Sequence, residues 1–171
     1  IGSGGSGKTT FLIKLYGELL AAYKKDCQNH PLPIYIPLNQ YRGVSVNGDS
    51  FVDHYIANSY ADLADSFNWE TDKFVLLLDG ANEGQYVDQL GNELQKYVKA
   101  GCKIIITTRY TLDWSCLESF ASVELNELSD EIIQLALASK GLPMPEGKLL
   151  QTLRTPIFLA HSTFTGIDAA L

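Results

Sequence analysis

At 171 residues, with 46% hydrophobic and 19% charged side chains, the chain is long enough for one α/β domain with an appended subdomain and too apolar for a disordered segment. A formal net charge of -7 argues against a nucleic-acid surface spread over the domain, so direct nucleic-acid contact is not expected. Three widely spaced cysteines, Cys27, Cys102 and Cys116, suggest neither a disulfide framework nor a C-x-x-C metal site, and a reducing cytoplasm is the simplest setting.

The first ten residues read IGSGGSGKTT. Gly2, Gly7, Lys8 and Thr9 fit G-x-x-x-x-G-K-[ST], in which glycines free the backbone to wrap N–H groups round a phosphate chain. Gly2, Ser3, Gly4, Gly5, Ser6 and Gly7 would form the cradle, with Thr10 in the helix start that follows. Lys8 adds a point charge for the terminal phosphates. The Thr9 hydroxyl suits Mg²⁺, and the positive end of the following helix suits anionic oxygens. A Gly/Ser run could also be a flexible linker, but Lys8-Thr9-Thr10 lead directly into FLIKLYGELLAAY, a helical pattern. Only Ile1 precedes the first glycine, so the buried strand that should lead into such a loop lies largely outside the sequence, which reads as a fragment.

Short apolar, β-branched runs then alternate with longer segments of helical spacing, the pattern of βα units on a parallel sheet. A helix from Thr9 to about Tyr23 leads through HPLP to a strand near Ile34 to Leu38. The turn-formers NQYRGVSVNGDS precede a helix from about Phe51 to Phe67. Next come a strand Phe74 to Asp79, a helix from about Val87 to Val98, a strand Lys103 to Thr108, a short helix near Leu112 to Phe120 and a strand Ser122 to Leu125. From Ser129 the pattern is helical only. SDEIIQLALASKG opens on an N-cap serine and ends at Gly141, and PEGKLLQTLRT and PIFLAHSTFTG each open on a proline, which a first helical turn tolerates. The expected boundary is at Leu125: residues 1–125 form the core and residues 126–171 a helical subdomain. The longest apolar runs, FVLLL and KIIIT, fall far short of the ~20 residues of a membrane-spanning helix.

If Lys8 and Thr9 hold phosphates, a carboxylate at the end of a hydrophobic strand is needed to complete the Mg²⁺ shell, and KFVLLLD places Asp79 there. Alone, such a run could equally be a capped core strand. Four residues on, Glu83 could orient or deprotonate a water attacking the γ-phosphate, or it could be an acid at the start of the next helix. The strand KIIITTRY brings Thr107, Thr108 and Arg109 to the same carboxyl edge, where open α/β sheets bind ligands. Arg109 could pair with the γ-phosphate or simply be a surface arginine.

Taken together, IGSGGSGKTTFL, FVLLLDGANEG, KIIITTRY, VELNELSDEI and LRTPIFL resemble the NACHT family of signal-transducing P-loop ATPases, which is related to the NB-ARC domains of disease-resistance and apoptotic proteins. The resemblance implies a three-layer αβα P-loop NTPase fold with a parallel sheet, followed by a small helical subdomain and then, beyond this chain, a winged-helix domain. It implies a Walker A role for Lys8 and Thr9, a Walker B role for Asp79, a hydrolytic role for Glu83, a sensor role for Arg109 and contact of Pro156 with adenine. Many members carry an acidic pair in the turn after the Walker B strand, whereas Asn82 precedes Glu83 here. His161, in the tail, reads as structural.

What the resemblance implies as function is a switch: ADP in a closed, quiet protein, then ATP exchange, opening and self-association that gathers effector domains, in defence such as innate immunity or in regulatory signalling. Sensor and effector domains would lie outside the chain. Two other readings stay open. One is an AAA+-like motor, for which Arg154 is the clearest candidate in the tail to act on a neighbour. The other is a nucleotide-stabilised scaffold without turnover.

Overall fold

The computed structural model describes residues 1–41, 50–61, 72–83, 87–112, 114 and 121–165. These fall into two compact units, one made of Ile1–Lys8 with Val123–Leu171, the other of Thr9–Ser122.

In the Thr9–Ser122 unit, β1 (Leu32–Pro37), β2 (Phe74–Asp79) and β3 (Lys103–Ile106) form a parallel sheet in the order β1-β2-β3. Ile34 faces Leu76 and Tyr35 faces Leu77 across β1 and β2, and Leu77 faces Ile105 across β2 and β3. β2 is buried from Phe74 to Leu78 because both faces of the sheet are covered, and this is why it reads as an unbroken apolar run rather than an alternation. On one face, Val75 and Leu77 pack with Leu12, Leu15, Tyr16 and Leu19 of helix α1 (Lys8–Lys25). On the other, Leu76 and Leu78 join Ile34 and Ile36 in a cluster with Val52 and Ile56 of α2 (Phe51–Ser59) and Leu90, Leu94 and Tyr97 of α3 (Val87–Lys99). The layers are therefore helix, sheet, helix, and the fold class is α/β.

Helix α2 begins at Ser50, whose Oγ accepts from Asp53 N at 3.2 Å and donates to Glu93 Oε1 at 2.6 Å. Glu93 Oε1 also accepts from Val52 N at 2.9 Å, so a carboxylate of α3 sits on the positive end of α2. Tyr97 and Lys96 add bonds to Asp53, fixing the pair of helices laterally.

Most elements lie close to their expected places, with instructive differences. β3 ends two residues early, at Ile106. Thr107 N still donates to Leu78 O, but β2 turns away at Gly80 (φ 77°), which leaves Thr108 without a strand opposite. The helix expected to reach Phe67 closes at Ser59, and residues 62–71 lie outside the described residues, as do 113 and 115–120 of the expected short helix and Cys116. Cys27 and Cys102 are free thiols, the first exposed and the second buried, and burial pushes the Cys102 thiol above its ordinary range.

In the other unit, the expected strand Ser122 to Leu125 is not a strand. Its backbone bonds instead to Ile1: Ile1 N donates to Val123 O at 2.7 Å and Leu125 N to Ile1 O at 2.8 Å. Among the described residues three helices follow, α4 (Asp130–Ala138), α5 (Gly147–Leu153) and α6 (Pro156–Thr165). Ile133, Leu137, Leu153 and Leu159 form their core. Beyond α4, Leu142 N bonds to Leu137 O and Gly141 N to Ala138 O with Gly141 at φ 68°, the paired closure of a helix end by a left-handed glycine. Pro156 opens α6 at the first helical position, as its fixed φ favours.

Candidate functional site

The glycine loop lies in the unit that contains the helical tail. Gly5 and Gly7 adopt φ of 78° and 88°, a region that side chains with a Cβ rarely enter. A Cβ on Gly5 would also stand 2.6 Å from Ile157 Cγ2, which closes this position to any other residue, whereas Gly4 has open space around it. Ile157 N donates to Gly5 O at 3.3 Å, and a Cβ on Gly7 would meet Pro156 at 3.9 Å. The start of α6 is thus seated against the loop, and Pro156 stands beside Gly7.

Lys8 folds over the same loop. Its Nζ donates to Gly2 O at 2.6 Å and Ser3 O at 2.7 Å, and lies 3.4 Å from Ser6 Oγ. An ammonium carries three donors and no acceptor, so these bonds gather the loop's oxygens round one cation. Thr9 and Thr10 are exposed in the first turn of α1, and that turn contains no acid to neutralise the helix's positive end.

Asp79, Glu83 and Arg109 lie together in the Thr9–Ser122 unit, at the carboxyl ends of β2 and β3. Asp79 closes β2, and both of its oxygens are engaged: Oδ1 accepts from Thr107 Oγ1 at 2.5 Å and Oδ2 from the Tyr35 hydroxyl at 3.0 Å. Thr107 Oγ1 in turn accepts from Gly80 N at 2.8 Å, and Ala81 N donates to Thr107 O at 2.9 Å. Thr107 and Thr108 are both buried, so Thr107 serves the aspartate rather than standing exposed at the edge. Burial raises the Tyr35 phenol above the ordinary tyrosine range, and its bond to Asp79 adds to the rise, so the group stays a donor at neutral pH.

The turn Ala81–Glu83 places Glu83 beside Arg109, with Arg109 Nη2 3.5 Å from Glu83 Oε1. Both side chains are about half exposed, and such pairs are worth ~0–1 kcal/mol, weak enough for a stronger anion to take the arginine. Asn82 Oδ1 accepts from Arg109 N at 3.0 Å and ties the turn to the end of β3. An aspartate there could accept the same bond, so this contact does not depend on a charge at position 82. Tyr35 is the contact that sequence reading misses, because a tyrosine inside LPIYIP reads as ordinary strand filling. His161 is exposed on α6.

A glycine loop closed by a lysine that opens a helix, and an aspartate ending a buried parallel strand, are the two marks of a P-loop NTPase, and the chain is a protein of that class. The family that matches it is the NACHT domain, over residues 1–139, and the chain belongs to the NACHT family. That family is one of nucleotide-binding NTPases. No curated protein and no solved structure matches the chain. Among the described residues no helix is long and apolar enough to cross a membrane.

Proposed function

We propose that this chain is the ATP- and ADP-binding switch domain of a larger signalling protein, hydrolysing ATP slowly with Mg²⁺. Residues Gly2 to Thr10 bind the phosphates, with Lys8 on the terminal ones, and Pro156 meets the adenine. Asp79 and Thr9 serve the metal, Glu83 orients the attacking water, and Arg109 answers to the γ-phosphate. The longer protein self-associates through this domain in the cytoplasm and carries its sensor and effector domains elsewhere, in defence or regulatory signalling.

The residues fit the metal. Asp79 ends β2 and Thr9 stands exposed in the first turn of α1; both are hard oxygen donors, and Mg²⁺ is commonly held by one or two carboxylates together with substrate phosphates. When bound, the ion would neutralise charge developing on the phosphate oxygens.

The observation that carries the switch reading is the engagement of Glu83 by Arg109. So weak a pairing lets an incoming γ-phosphate draw Arg109 away and leave Glu83 to water, an exchange that suits a switch. The seating of α6 on the glycine loop adds a route by which phosphate binding reaches the helical tail. Arg154, the candidate for a motor's trans-acting arginine, is bonded instead to Asp130 of α4 at 3.0 Å.

The test is turnover by the purified protein. A switch gives ~10⁻² s⁻¹ or slower, the range of unassisted P-loop switches. Brisk turnover at about 1 s⁻¹ or faster, in the ordinary enzyme range, would support the motor instead, and none at all the scaffold.

A further inference from the structure

We propose that Tyr35 is a positioning residue for Asp79, fixing the carboxylate that serves the nucleotide's divalent cation. The inference rests on the reading of Asp79 given above. In the sheet register Tyr35 faces Leu77 and Pro37 faces Asp79, so Tyr35 lies on the same face as Asp79, one strand across and two residues back. From there the phenol reaches Asp79 Oδ2 at 3.0 Å, while Thr107 holds Oδ1 at 2.5 Å. One hydroxyl on each oxygen fixes the rotation of the carboxylate. A carboxylate oxygen has two acceptor sites, so each keeps one for a metal or a metal-bound water.

Tyr35 is itself held firmly. Tyr35 N donates to the Tyr60 hydroxyl at 3.3 Å, and that hydroxyl donates to Tyr35 O at 3.4 Å, which pairs the outer edge of β1 at this residue. Its ring meets Tyr16 of α1 edge to face, with centroids 6.3 Å apart. Ile34 and Ile36 on either side are fully buried on the opposite face. The phenol is therefore a fixed donor aimed along the sheet at one carboxylate oxygen. Groups that orient a metal-serving ligand in this way usually change metal affinity ~10- to 100-fold when removed.

Tyr35→Phe keeps the ring against Tyr16 and removes only the donor. Binding of a fluorescent ATP analogue is measured in EDTA and across a Mg²⁺ titration for wild type, Tyr35→Phe, Asp79→Asn and the double variant, with thermal melting of each. The expected result is unchanged binding in EDTA, a Mg²⁺ midpoint raised ~10- to 100-fold in Tyr35→Phe, and no added effect in the Asp79→Asn background. 4-Fluorophenylalanine at position 35, nearly isosteric with tyrosine and without the donor, is the second variant and must show the same shift. An unmoved midpoint in a folded variant, or an equal shift in the Asp79→Asn background, overturns the role of Tyr35 while leaving that of Asp79 intact. A wild type whose nucleotide binding ignores Mg²⁺ overturns both.

Discussion

Lys8→Ala weakens ATP and ADP binding about a hundredfold, ~3 kcal/mol, the upper range for a hydrogen bond to a charged group. The size follows from an exchange of partners. In the structure the ammonium is bonded to two neutral carbonyls of the loop, Gly2 O and Ser3 O, at 2.6 and 2.7 Å. A phosphate chain offers anionic oxygens instead, and charge-assisted bonds are roughly twice as strong as neutral ones. Only the difference between the two sets appears as affinity, which keeps the expected loss well below the full attraction between the charges. The substitution also removes a tie across the loop, so thermal melting should accompany the titration. Calorimetry on a folded variant that keeps its affinity to within about threefold, under 1 kcal/mol, would refute the phosphate role of Lys8.

Glu83→Gln lowers ATP hydrolysis by ~10²- to 10⁴-fold, the usual worth of a positioned base, and leaves nucleotide affinity close to that of the wild type. Glutamine keeps the length and an acceptor oxygen but cannot take a proton. Its partner in the structure is Arg109, at 3.5 Å and half exposed, so losing the charge costs the fold at most ~1 kcal/mol. An effect confined to turnover is therefore expected. Single-turnover hydrolysis measured beside equilibrium binding separates the two, and an unchanged rate would remove Glu83 from the chemistry.

The parts of the fold legible in the sequence are those whose physics is local. FVLLLD announces a strand buried on both faces with a polar end, and it forms β2 to the residue. The pair Lys8-Thr9 before an amphipathic run marks the start of α1, and Pro156 marks the start of α6. What was not legible depends on residues brought together from far along the chain. Nothing in LPIYIP shows that a hydroxyl will land on Asp79, because that follows from the register of β1 on β2. Nothing in GSGGSG shows that Gly5 will lie against Ile157, which it meets only once the tail has folded. The segment ending at Leu125 has the composition of a strand, but its backbone bonds are with Ile1 at the very start of the chain. The loss of charge at Asn82 was visible in the sequence, but the bond it makes to Arg109 N was not.

The most direct test of the switch is to purify the protein without added nucleotide, denature it and identify by chromatography what is released. ADP in stoichiometric amount is the expected result, because a resting switch holds its product in the glycine loop. Protein that releases no nucleotide, and afterwards binds ATP only weakly, would contradict the account.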